Sequence, residues 1–366
     1  MALQIGIVGL PNVGKSTLFN AVSSTAKAES ANYPFCTIEP NRGTVIVPDK
    51  RFDVLVALEK PLKEVPASIE FVDIAGLVRG ASKGEGRGNA FLSNIRDVDA
   101  IAHVVRCFDN DEIIHVDNKV DPLSDIETIE TELILKDLET CEKALDRARK
   151  VAKFGKAEDK LVAEVYELAQ KGLDSGKLAR LIPMTDEQRA VLKHLCLITD
   201  KPVFFVANLS EGDLTGDGNA HVRAVEALGR ERNTPVVRIS AAIESEIASL
   251  PKEDQADFLA GIGLEEPGLY NVVRTGYALL DLITFFTAGE TEVRAWPIKR
   301  GTKAPQAAGK IHTDFERGFI KAEVIFWEDL LKHKSEAGVK AAGKLGIEGK
   351  EYVMRDGDVV HFRFNV

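Results

Sequence analysis

The sequence predicts an α/β protein: a doubly wound, mostly parallel sheet, with a helical arm inserted and a smaller α+β module at the end. Short apolar runs alternate with helical stretches, as in parallel strands joined by crossover helices. One long segment is almost wholly helical, and strand-like runs dominate the last part of the chain. The apolar runs of the first region are QIGIV, SIEFVDIAG, AIAHVVRCF, PVFFVANLSE and TPVVRISAA.

The first apolar run leads into a phosphate-binding motif. The segment GLPNVGKST, Gly9–Thr17, matches GxxxxGK[ST] completely and precedes the helical-looking LFNAVSS. Glycines at both ends of the motif allow backbone N–H groups to turn inward, and a helix N-terminus favours anionic phosphate. The alternative is a glycine-rich turn that binds nothing. We predict that the nucleotide-binding residues of this loop are Asn12, Val13, Gly14, Lys15, Ser16 and Thr17.

Three residues have side chains that suit a metal ion beside the phosphates. Lys15 can span the outer phosphates, while Ser16 offers an oxygen to Mg²⁺. Asp73 ends the run SIEFVD and can hold the metal through water, and the backbone of Gly76 in the same DIAG motif can reach the γ-phosphate. Thr37 lies between these motifs, where its hydroxyl can complete the metal shell when a γ-phosphate is present. The sequence therefore predicts Ser16, Thr37 and Asp73 as magnesium ligands.

The helical arm is predicted from an apolar seam. Its residues are spaced 4, 3, 4, 3 and 4 apart, and they are Ile134, Leu138, Cys141, Leu145, Ala148 and Ala152. A turn is expected around Gly155, after which Leu161, Val165 and Leu168 supply a second seam. Thr185 and Gln188 resemble a capping box that begins a third helix, DEQRAVLKHLCLIT. The alternative is a set of ordinary packing helices rather than a protruding arm.

The C-terminal module carries a local basic excess. Strands are expected in ETEVRAWPI, RGFIKAEVI and DGDVVHFRFNV, with APQAAGKIH as a short helix or loop. Between Arg294 and Lys321 there are seven Lys or Arg residues and two acids. This excess is either a solvated face or a surface that meets RNA.

Composition excludes several classes of protein. The chain has 366 residues, 45% apolar and 28% charged, with a formal net charge of −10, so any nucleic-acid contact must come from a local basic face and DNA is not expected. The four cysteines are far apart, which disfavours zinc and a disulfide framework. The N-terminus lacks a basic leader, and no apolar run approaches a membrane span. We expect a cytoplasmic protein with no membrane contact.

Four motifs resemble a known family. GLPNVGKST, YPFCTIEPNRG, DIAGLVRGASKGEGRGNAFL and KIHTDFERGFIKAEV are similar to those of the Obg-related translation-factor NTPases, specifically the YchF or Obg-like ATPase subfamily. The likeness covers essentially the whole chain. It implies an Obg-type G domain (1–125 and 200–280), an inserted helical coiled-coil arm (126–199) and a C-terminal TGS domain of β-grasp type (281–366).

The resemblance also implies an activity. Family members associate with ribosomes, so the arm and the TGS domain are expected to contact ribosomal RNA. The leading hypothesis is an Mg²⁺-dependent ATPase of low intrinsic rate that acts as a nucleotide-dependent regulator of translation or of a stress response. The alternatives are a GTP-specific Obg-like GTPase and a nucleotide-binding scaffold for RNA or protein in which hydrolysis is incidental.

The loop after PVFFVA addresses the choice of base. Guanine-specific relatives carry NKxD there, whereas this chain reads Asn208, Leu209, Ser210, Glu211. Leu209 cannot replace the Lys and Glu211 is one methylene longer than Asp, so the paired contacts to guanine should be misplaced. We expect Asn208 to pair with adenine instead, although a small shift of Glu211 could still select guanine. Ser240 and Ala241 match the loop that flanks the base.

The hydrolytic machinery is less complete. Leu77 follows DIAG, where many signalling relatives carry a Gln that positions water. His115 is the candidate catalytic group beside Lys15, because imidazole can accept a proton near neutral pH, although a lone loop histidine is more often only solvated. Related PNVGKS loops use their Asn to hold K⁺, so Asn12 makes potassium a further candidate cofactor. Asn12 could equally serve only to cap the loop.

Overall fold

The computed structural model describes residues 3–30, 38–39, 41–74, 95–115 and 119–365. Within these ranges, the strands, numbered along the chain, are β1 (Gln4–Val8), β2 (Ile38–Glu39), β3 (Arg42–Ile46), β4 (Glu64–Val65), β5 (Ser68–Asp73), β6 (Ala100–Arg106), β7 (Val203–Asn208), β8 (Val236–Ile239), β9 (Leu282–Thr287), β10 (Val293–Lys299), β11 (Phe319–Phe326), β12 (Gly346–Glu348) and β13 (Asp358–Phe364). No helix in these ranges is both long enough and apolar enough to cross a membrane.

The helices of the same ranges are α1 (Lys15–Ser30), α2 (Lys50–Glu59), α3 (Pro122–Ala152), α4 (Ala157–Asp174), α5 (Asp186–Leu192), α6 (Ala220–Arg232), α7 (Ala241–Ser249), α8 (Lys252–Gly261), α9 (Gly268–Leu279), α10 (Ala304–Ile311), α11 (Thr313–Arg317), α12 (Trp327–His333) and α13 (Glu336–Ala341).

The first sheet has the order β2-β3-β5-β1-β6-β7-β8. The five strands β5, β1, β6, β7 and β8 are parallel, while β3 and β2 are antiparallel additions at one edge. The central strand β6 is buried at every residue, as expected for a parallel strand covered on both faces. The predicted doubly wound, mostly parallel sheet is confirmed. The carboxyl ends of β1, β5, β6 and β7 lie along one edge, where ligands bind in such sheets.

The arm consists of two long helices that pack against each other. The first part of α3 covers the sheet through Ile126 and Ile129, and its second part forms a separate apolar core with α4. That core contains Cys141 and Val165 of the two predicted seams, both fully buried. The chain turns at 153–156, and Phe154 at the tip is 97% exposed.

The return from the arm is more irregular than predicted. The capping box of Thr185 and Gln188 is present, with both reciprocal hydrogen bonds. Helix α5 nevertheless ends at Leu192, and two short 3₁₀ turns follow, Lys193–Leu195 and Ile198–Asp200. The predicted helix DEQRAVLKHLCLIT was therefore too long. Cys196 has a left-handed backbone (φ 48°) that an α-helix does not continue through, and beyond it the carboxylate of buried Asp137 in α3 accepts from the N–H groups of Ile198 and Thr199.

The second sheet has the order β12-β11-β13-β9-β10-β4. One face packs on α10 and α11, around Phe285 and Ile298. The other face shares one continuous apolar core with the first sheet, in which Phe286 and Val293 join Phe52 of α2. The expected C-terminal strands and the helix in APQAAGKIH are present.

One strand of this second sheet comes from the N-terminal half of the chain. Strand β4 pairs in parallel with β10, through Glu64↔Val293 and Val65↔Arg294. The predicted boundaries assign all of 1–125 to the nucleotide domain. Structurally, the segment from α2 to β4 is shared between the two sheets.

Candidate functional site

The phosphate loop has the backbone shape that the motif predicts. It connects β1 to α1, and φ is positive at Asn12 (61°) and Gly14 (98°). A side chain at Gly14 would also collide with Asn208, so glycine is required there by both conformation and space. Helix α1 has no acidic residue in its first turn, so nothing there opposes an anion at the N-terminus.

Lys15 lies within the loop rather than in solvent. Its side chain is 7% exposed, and its ammonium donates to the Leu10 carbonyl oxygen at 2.5 Å. Burial lowers its pKa to about 8, while the charge of Asp73 acts in the opposite direction. The ammonium is therefore held by the curled backbone at the place where the motif needs it for a phosphate.

The metal-binding prediction is compatible with the donor set that is described. Ser16 is exposed at the start of α1, and Asp73 ends β5. Burial raises the pKa of Asp73, against the opposing effect of Lys15, so a cation beside this carboxylate would relieve an unfavourable desolvation. Hydroxyl and carboxylate oxygens are ligands that Mg²⁺ prefers. Thr37, Gly76, Leu77 and the glycine-rich stretch from Gly80 to Gly88 lie outside the described residues.

A pocket of about 500 Å³ opens beside the phosphate loop. Three loops contribute to it besides the phosphate loop: the one after β6, the one after β7 and the one that begins α7. Its lining includes the predicted residues Asn12, Gly14, Thr17, Asn208, Leu209, Glu211, Ser240 and Ala241. The structure thus brings together residues that are far apart in sequence, at the carboxyl edge of the sheet. Val13 is buried beneath the loop and holds it through its backbone.

Asn208 has a bracing role that the sequence did not predict. Its side-chain nitrogen donates to the Val13 carbonyl at 2.9 Å, and its side-chain oxygen accepts from the Ala241 N–H at 2.9 Å. These are the two groups that pairing with adenine would need. The amide thus braces the phosphate loop against the start of α7, and adenine could pair only with its second N–H and the remaining lone pair of its oxygen.

The neighbouring residues of that loop differ in exposure. Leu209 is 2% exposed, and its N–H donates to the Ile239 carbonyl. Glu211 is exposed and begins a 3₁₀ turn, Glu211–Asp213. The Asp213 carboxylate accepts from Ser210 Oγ and from the Asn219 side chain, which lowers its pKa. An apolar side chain and a solvent-facing carboxylate thus lie where a guanine-binding loop carries Lys and Asp.

The loop after β6 forms a wall that the sequence analysis missed. Phe108, Asn110 and Ile113 line the pocket, and the side-chain nitrogen of Asn12 donates to the Ile114 carbonyl at 3.1 Å. Buried Arg106, the last residue of β6, contacts this loop from below. The available signal was positional: FDND directly follows a parallel strand, and such loops border the ligand crevice.

His115 follows this loop and is paired with helix α3. It is 6% exposed, and its Nε2 lies 3.0 Å from the Asp125 carboxylate of α3. In this arrangement the ring connects the loop to the first long helix of the arm. It is not among the residues that line the pocket.

The basic residues of the C-terminal module are partly neutralised. Arg300 pairs with Asp281, Lys303 with Glu351 and Lys321 with Glu323. The Arg294 guanidinium stacks on the Trp296 ring at 3.9 Å. The local excess of positive charge is therefore smaller than the sequence count suggested.

Two family models match the chain. The one described as MMR_HSR1, 50S ribosome-binding GTPase, matches residues 4–137, and the one described as YchF-GTPase_C matches residues 282–365.

Full-length relatives are also similar. The chain is 54% identical to the "Ribosome-binding ATPase YchF" of Bacillus subtilis and 53% identical to that of Haemophilus influenzae, with complete coverage of both chains in each case. It is 47% identical to "Obg-like ATPase 1" of Oryza sativa, covering all of this chain and 92% of the relative. A solved structure, that of the "Schizosaccharomyces pombe YchF GTPase", superposes with a TM-score of 0.89 at 41% identity, over 99% of this chain and 97% of the other.

Proposed function

The chain belongs to the YchF family, and from that premise we propose that it is an Mg²⁺-dependent nucleoside triphosphatase that prefers ATP to GTP and acts on the ribosome. In this proposal the nucleotide state regulates translation or a stress response. The bacterial relatives carry the name ribosome-binding ATPase, and the yeast structure is titled a GTPase. The choice of base therefore rests on the residues of this chain.

One observation carries the proposal: the phosphate loop and the base pocket form one continuous site. Gly14 and Thr17 of the phosphate loop line the same pocket as Leu209 and Ala241. A triphosphate held at the start of α1 would project its nucleoside into this pocket. The volume of about 500 Å³ is in the range of ordinary ligand sites.

The preference for ATP is argued from Leu209 and Glu211. A buried leucine offers no ammonium-bearing stem to a guanine ring, and the exposed carboxylate of Glu211 must reach inward to accept from it. Since the Asn208 amide is engaged with Val13 and Ala241, adenine would be held by apolar contacts and backbone groups of this pocket. Loss of paired polar contacts can remove several kcal/mol of guanine preference, on the order of what such sites use for discrimination.

The charges around the phosphates have defined roles in the proposal. The Lys15 ammonium donates one N–H to the Leu10 carbonyl, and its other two would neutralise the outer phosphates. Ser16, Asp73 and Thr37 would hold Mg²⁺, which would neutralise negative charge on the phosphates when bound. Asn12 is the candidate ligand for K⁺, and its side-chain nitrogen is already hydrogen-bonded to Ile114, which leaves its oxygen as the donor atom.

His115 is proposed as the group that orients or deprotonates water. To do so, its ring must leave the Asp125 carboxylate, 3.0 Å away, and turn toward the phosphates. The Asn12–Ile114 hydrogen bond already brings the adjacent backbone to the phosphate loop. We therefore expect slow turnover by the protein alone and faster turnover when a partner stabilises the rotated ring.

The proposal assigns ribosome binding to the arm and to the C-terminal module. The arm tip, 147–160, bears six Lys or Arg residues against two acids, on a chain of net charge −10. Phe154 at the same tip is almost fully exposed. Basic side chains around an exposed aromatic ring suit RNA, whose phosphates and unstacked bases they contact.

Turnover with and without ribosomes tests this function. We expect ATP hydrolysis to be slow in isolation and to rise when purified ribosomes are added, with Lys15→Ala inactive in both conditions. Retained ATP binding by Lys15→Ala would refute the phosphate-loop assignment. An ATP rate that ribosomes leave unchanged would favour the scaffold hypothesis, for which the engaged position of His115 is the supporting observation.

The role of His115 has its own prediction. His115→Ala should lower the ribosome-stimulated rate by about 10²-fold, the usual contribution of a general base, and should leave ATP binding unchanged. The matched control is Asp125→Asn, which keeps the imidazole of His115 but weakens the hydrogen bond between residue 125 and that ring. Stimulated turnover of His115→Ala equal to wild type would exclude the role.

A further inference from the structure

A buried arginine, Arg106, ends strand β6 and contacts the loop that lines the nucleotide pocket. It is 1% exposed. All three guanidinium nitrogens donate to backbone carbonyls of the following loop: Nε to Phe108 at 3.1 Å, Nη1 to Ile113 at 3.0 Å and Nη2 to Asn110 at 3.0 Å. The guanidinium carbon also lies 4.7 Å from the centre of the Phe108 ring.

These contacts add to two others that reach this loop, the Asn12 hydrogen bond to the Ile114 carbonyl and the approach of His221 to Asp109. Residues 109–114 are exposed and rich in acidic and amide side chains, and the segment has no regular helix or strand. Its internal bonds are the turn bonds from the Ile113 N–H to the Asn110 carbonyl and from the Glu112 N–H to the Asn110 side chain. Burying a guanidinium is costly unless its donors are satisfied. Because all three hydrogen bonds go to one loop, the buried charge requires this loop conformation and also stabilises it.

The same loop is one wall of the base pocket. Phe108, Asn110 and Ile113 line it, and each is either bonded to Arg106 through its carbonyl or in contact with its guanidinium. Asn208, the register partner of Arg106 in β7, braces the opposite parts of the site. The last residues of two adjacent strands therefore stabilise different parts of the site: Asn208 stabilises the phosphate loop, and Arg106 stabilises the loop that lines the base pocket.

We propose that Arg106 is a positioning residue that shapes the pocket wall against the nucleotide base, so that it controls affinity for the nucleoside part and not for the phosphates. This inference rests on the proposed nucleotide-binding function. The three hydrogen bonds of Arg106 to Phe108, Asn110 and Ile113 all go to the loop after β6, and none goes to the phosphate loop. Replacing Arg106 should therefore lower the affinity for the whole nucleotide without lowering the affinity for the phosphates alone, whereas a general loss of folding would lower both.

The test compares ATP with inorganic tripolyphosphate, each with Mg²⁺, by calorimetric titration of the full-length protein. For Arg106→Gln and Arg106→Lys we expect the Kd for ATP to rise at least about tenfold, from the loss of charge-assisted bonds that order the wall. The Kd for tripolyphosphate, which reaches only the phosphate loop, should change by less than about twofold. The lysine variant keeps the charge but lacks the planar fork, so it should recover only part of the loss.

Arg189 provides a matched control. Its guanidinium likewise donates to two backbone carbonyls, those of Ala179 and Ile182, but it lies at the base of the arm. Arg189→Gln should lower thermal stability as Arg106→Gln does and leave the ratio of the two affinities at the wild-type value. Equal losses for ATP and tripolyphosphate in the Arg106 variants, or no loss for either, would overturn the inference.

Hydrogen exchange gives a second readout that does not require ligand. Amides of residues 109–114 should exchange faster in Arg106→Lys than in wild type, while those of strands β1 and β7 should not change. Unaltered exchange in the loop would count against the proposal. If wild-type protein bound tripolyphosphate but not ATP, the proposed function would fail, and the role of Arg106 with it. If wild-type protein bound both and the Arg106 variants kept the wild-type ratio of affinities, only the role of Arg106 would fail.

Discussion

At the residue scale, the site depends on polar side chains that hold backbone more than on side chains that face the ligand. Lys15 is kept in place by the Leu10 carbonyl, Asn208 by Val13 and Ala241, and Arg106 by the loop that follows it. Each group is buried, and each replaces water with backbone partners. The pocket is therefore largely preformed, which lowers the entropic cost of binding a nucleotide.

A buried histidine in the same sheet predicts how stability depends on pH. His103 of β6 is 3% exposed, and burial lowers its pKa to about 3, with further lowering from the charges of Lys15 and Arg180. Between the unfolded pKa of 6.5 and this value the unfolded chain binds a proton that the folded chain does not. Stability from this group is thus complete above pH 6.5 and is lost as the pH falls toward 3.

Replacing His103 should remove its acid-sensitive contribution to the free energy of unfolding. His103→Phe keeps a ring next to Phe205. From pH 7 to pH 4.5 the unfolding free energy of the variant should fall by about 2–3 kcal/mol less than that of wild type. Urea unfolding at the two pH values measures the difference. Parallel losses in wild type and variant would show that this histidine does not set the acid limit.

The choice of base is also a residue-scale question. Leu209→Lys combined with Glu211→Asp restores the residue types of a guanine-binding loop, so the affinity for GTP relative to ATP should rise at least about tenfold. Competition with a fluorescent nucleotide gives the ratio, and Ser210→Ala in the same loop is the control. An unchanged ratio would mean that the base is read by other groups.

At the element scale, contiguous motifs were predicted better than contacts between distant segments. The phosphate loop and the Thr185 capping box follow from local sequence, and both have the expected geometry. The 3₁₀ turn Ile198–Asp200 and the two-residue strand β4 depend on partners elsewhere, Asp137 and β10. Local pattern cannot reveal such partners, since tertiary contacts override propensity.

The same limit applies to the contacts within the site. Asn208 was correctly expected at the pocket, but its bonds to Val13 and Ala241 require knowing how three loops meet. Arg106 ends a fully buried strand, and nothing in its own sequence neighbourhood shows that its donors turn toward the next loop. Roles that depend on orientation were therefore beyond the reach of sequence reasoning.

The arm tip is the element whose prediction is easiest to isolate. Phe154 is 97% exposed, so Phe154→Ala should not change thermal stability. If its ring stacks on an unpaired base, ribosome affinity should fall about tenfold, in line with the usual value of one aromatic–base stack.

Sedimentation with purified ribosomes measures this affinity. The matched control is Leu62→Ala, since Leu62 is 90% exposed on the connection between α2 and β4, away from the arm tip. Ribosome binding by Phe154→Ala equal to that of Leu62→Ala would remove the tip from the proposed interface.

At the scale of the whole molecule, the two sheets share a core. Phe52, Phe286 and Val293 belong to the same buried cluster as the central strands of the first sheet, and β4 pairs with β10. Both tryptophans, Trp296 and Trp327, lie in the second-sheet region. Their fluorescence therefore reports on a part of the chain that does not line the nucleotide pocket.

This shared core predicts that ATP stabilises the distant sheet. At a concentration 100 times its Kd, MgATP should raise the unfolding free energy followed by tryptophan fluorescence by about 2.7 kcal/mol, and circular dichroism should shift equally. Urea unfolding with and without MgATP makes the comparison. If MgATP left the unfolding free energy from tryptophan fluorescence unchanged, the two sheets would unfold independently.

The central claim is that the pocket beside the phosphate loop takes adenine in preference to guanine, and a competition titration tests it most directly. Wild-type protein is saturated with a fluorescent ATP analogue in Mg²⁺ buffer, and unlabelled ATP and GTP are added in separate series, with Lys15→Ala as the non-binding baseline. The account predicts displacement by ATP at a concentration at least about tenfold below that needed for GTP. Equal displacement, or tighter competition by GTP, would contradict it.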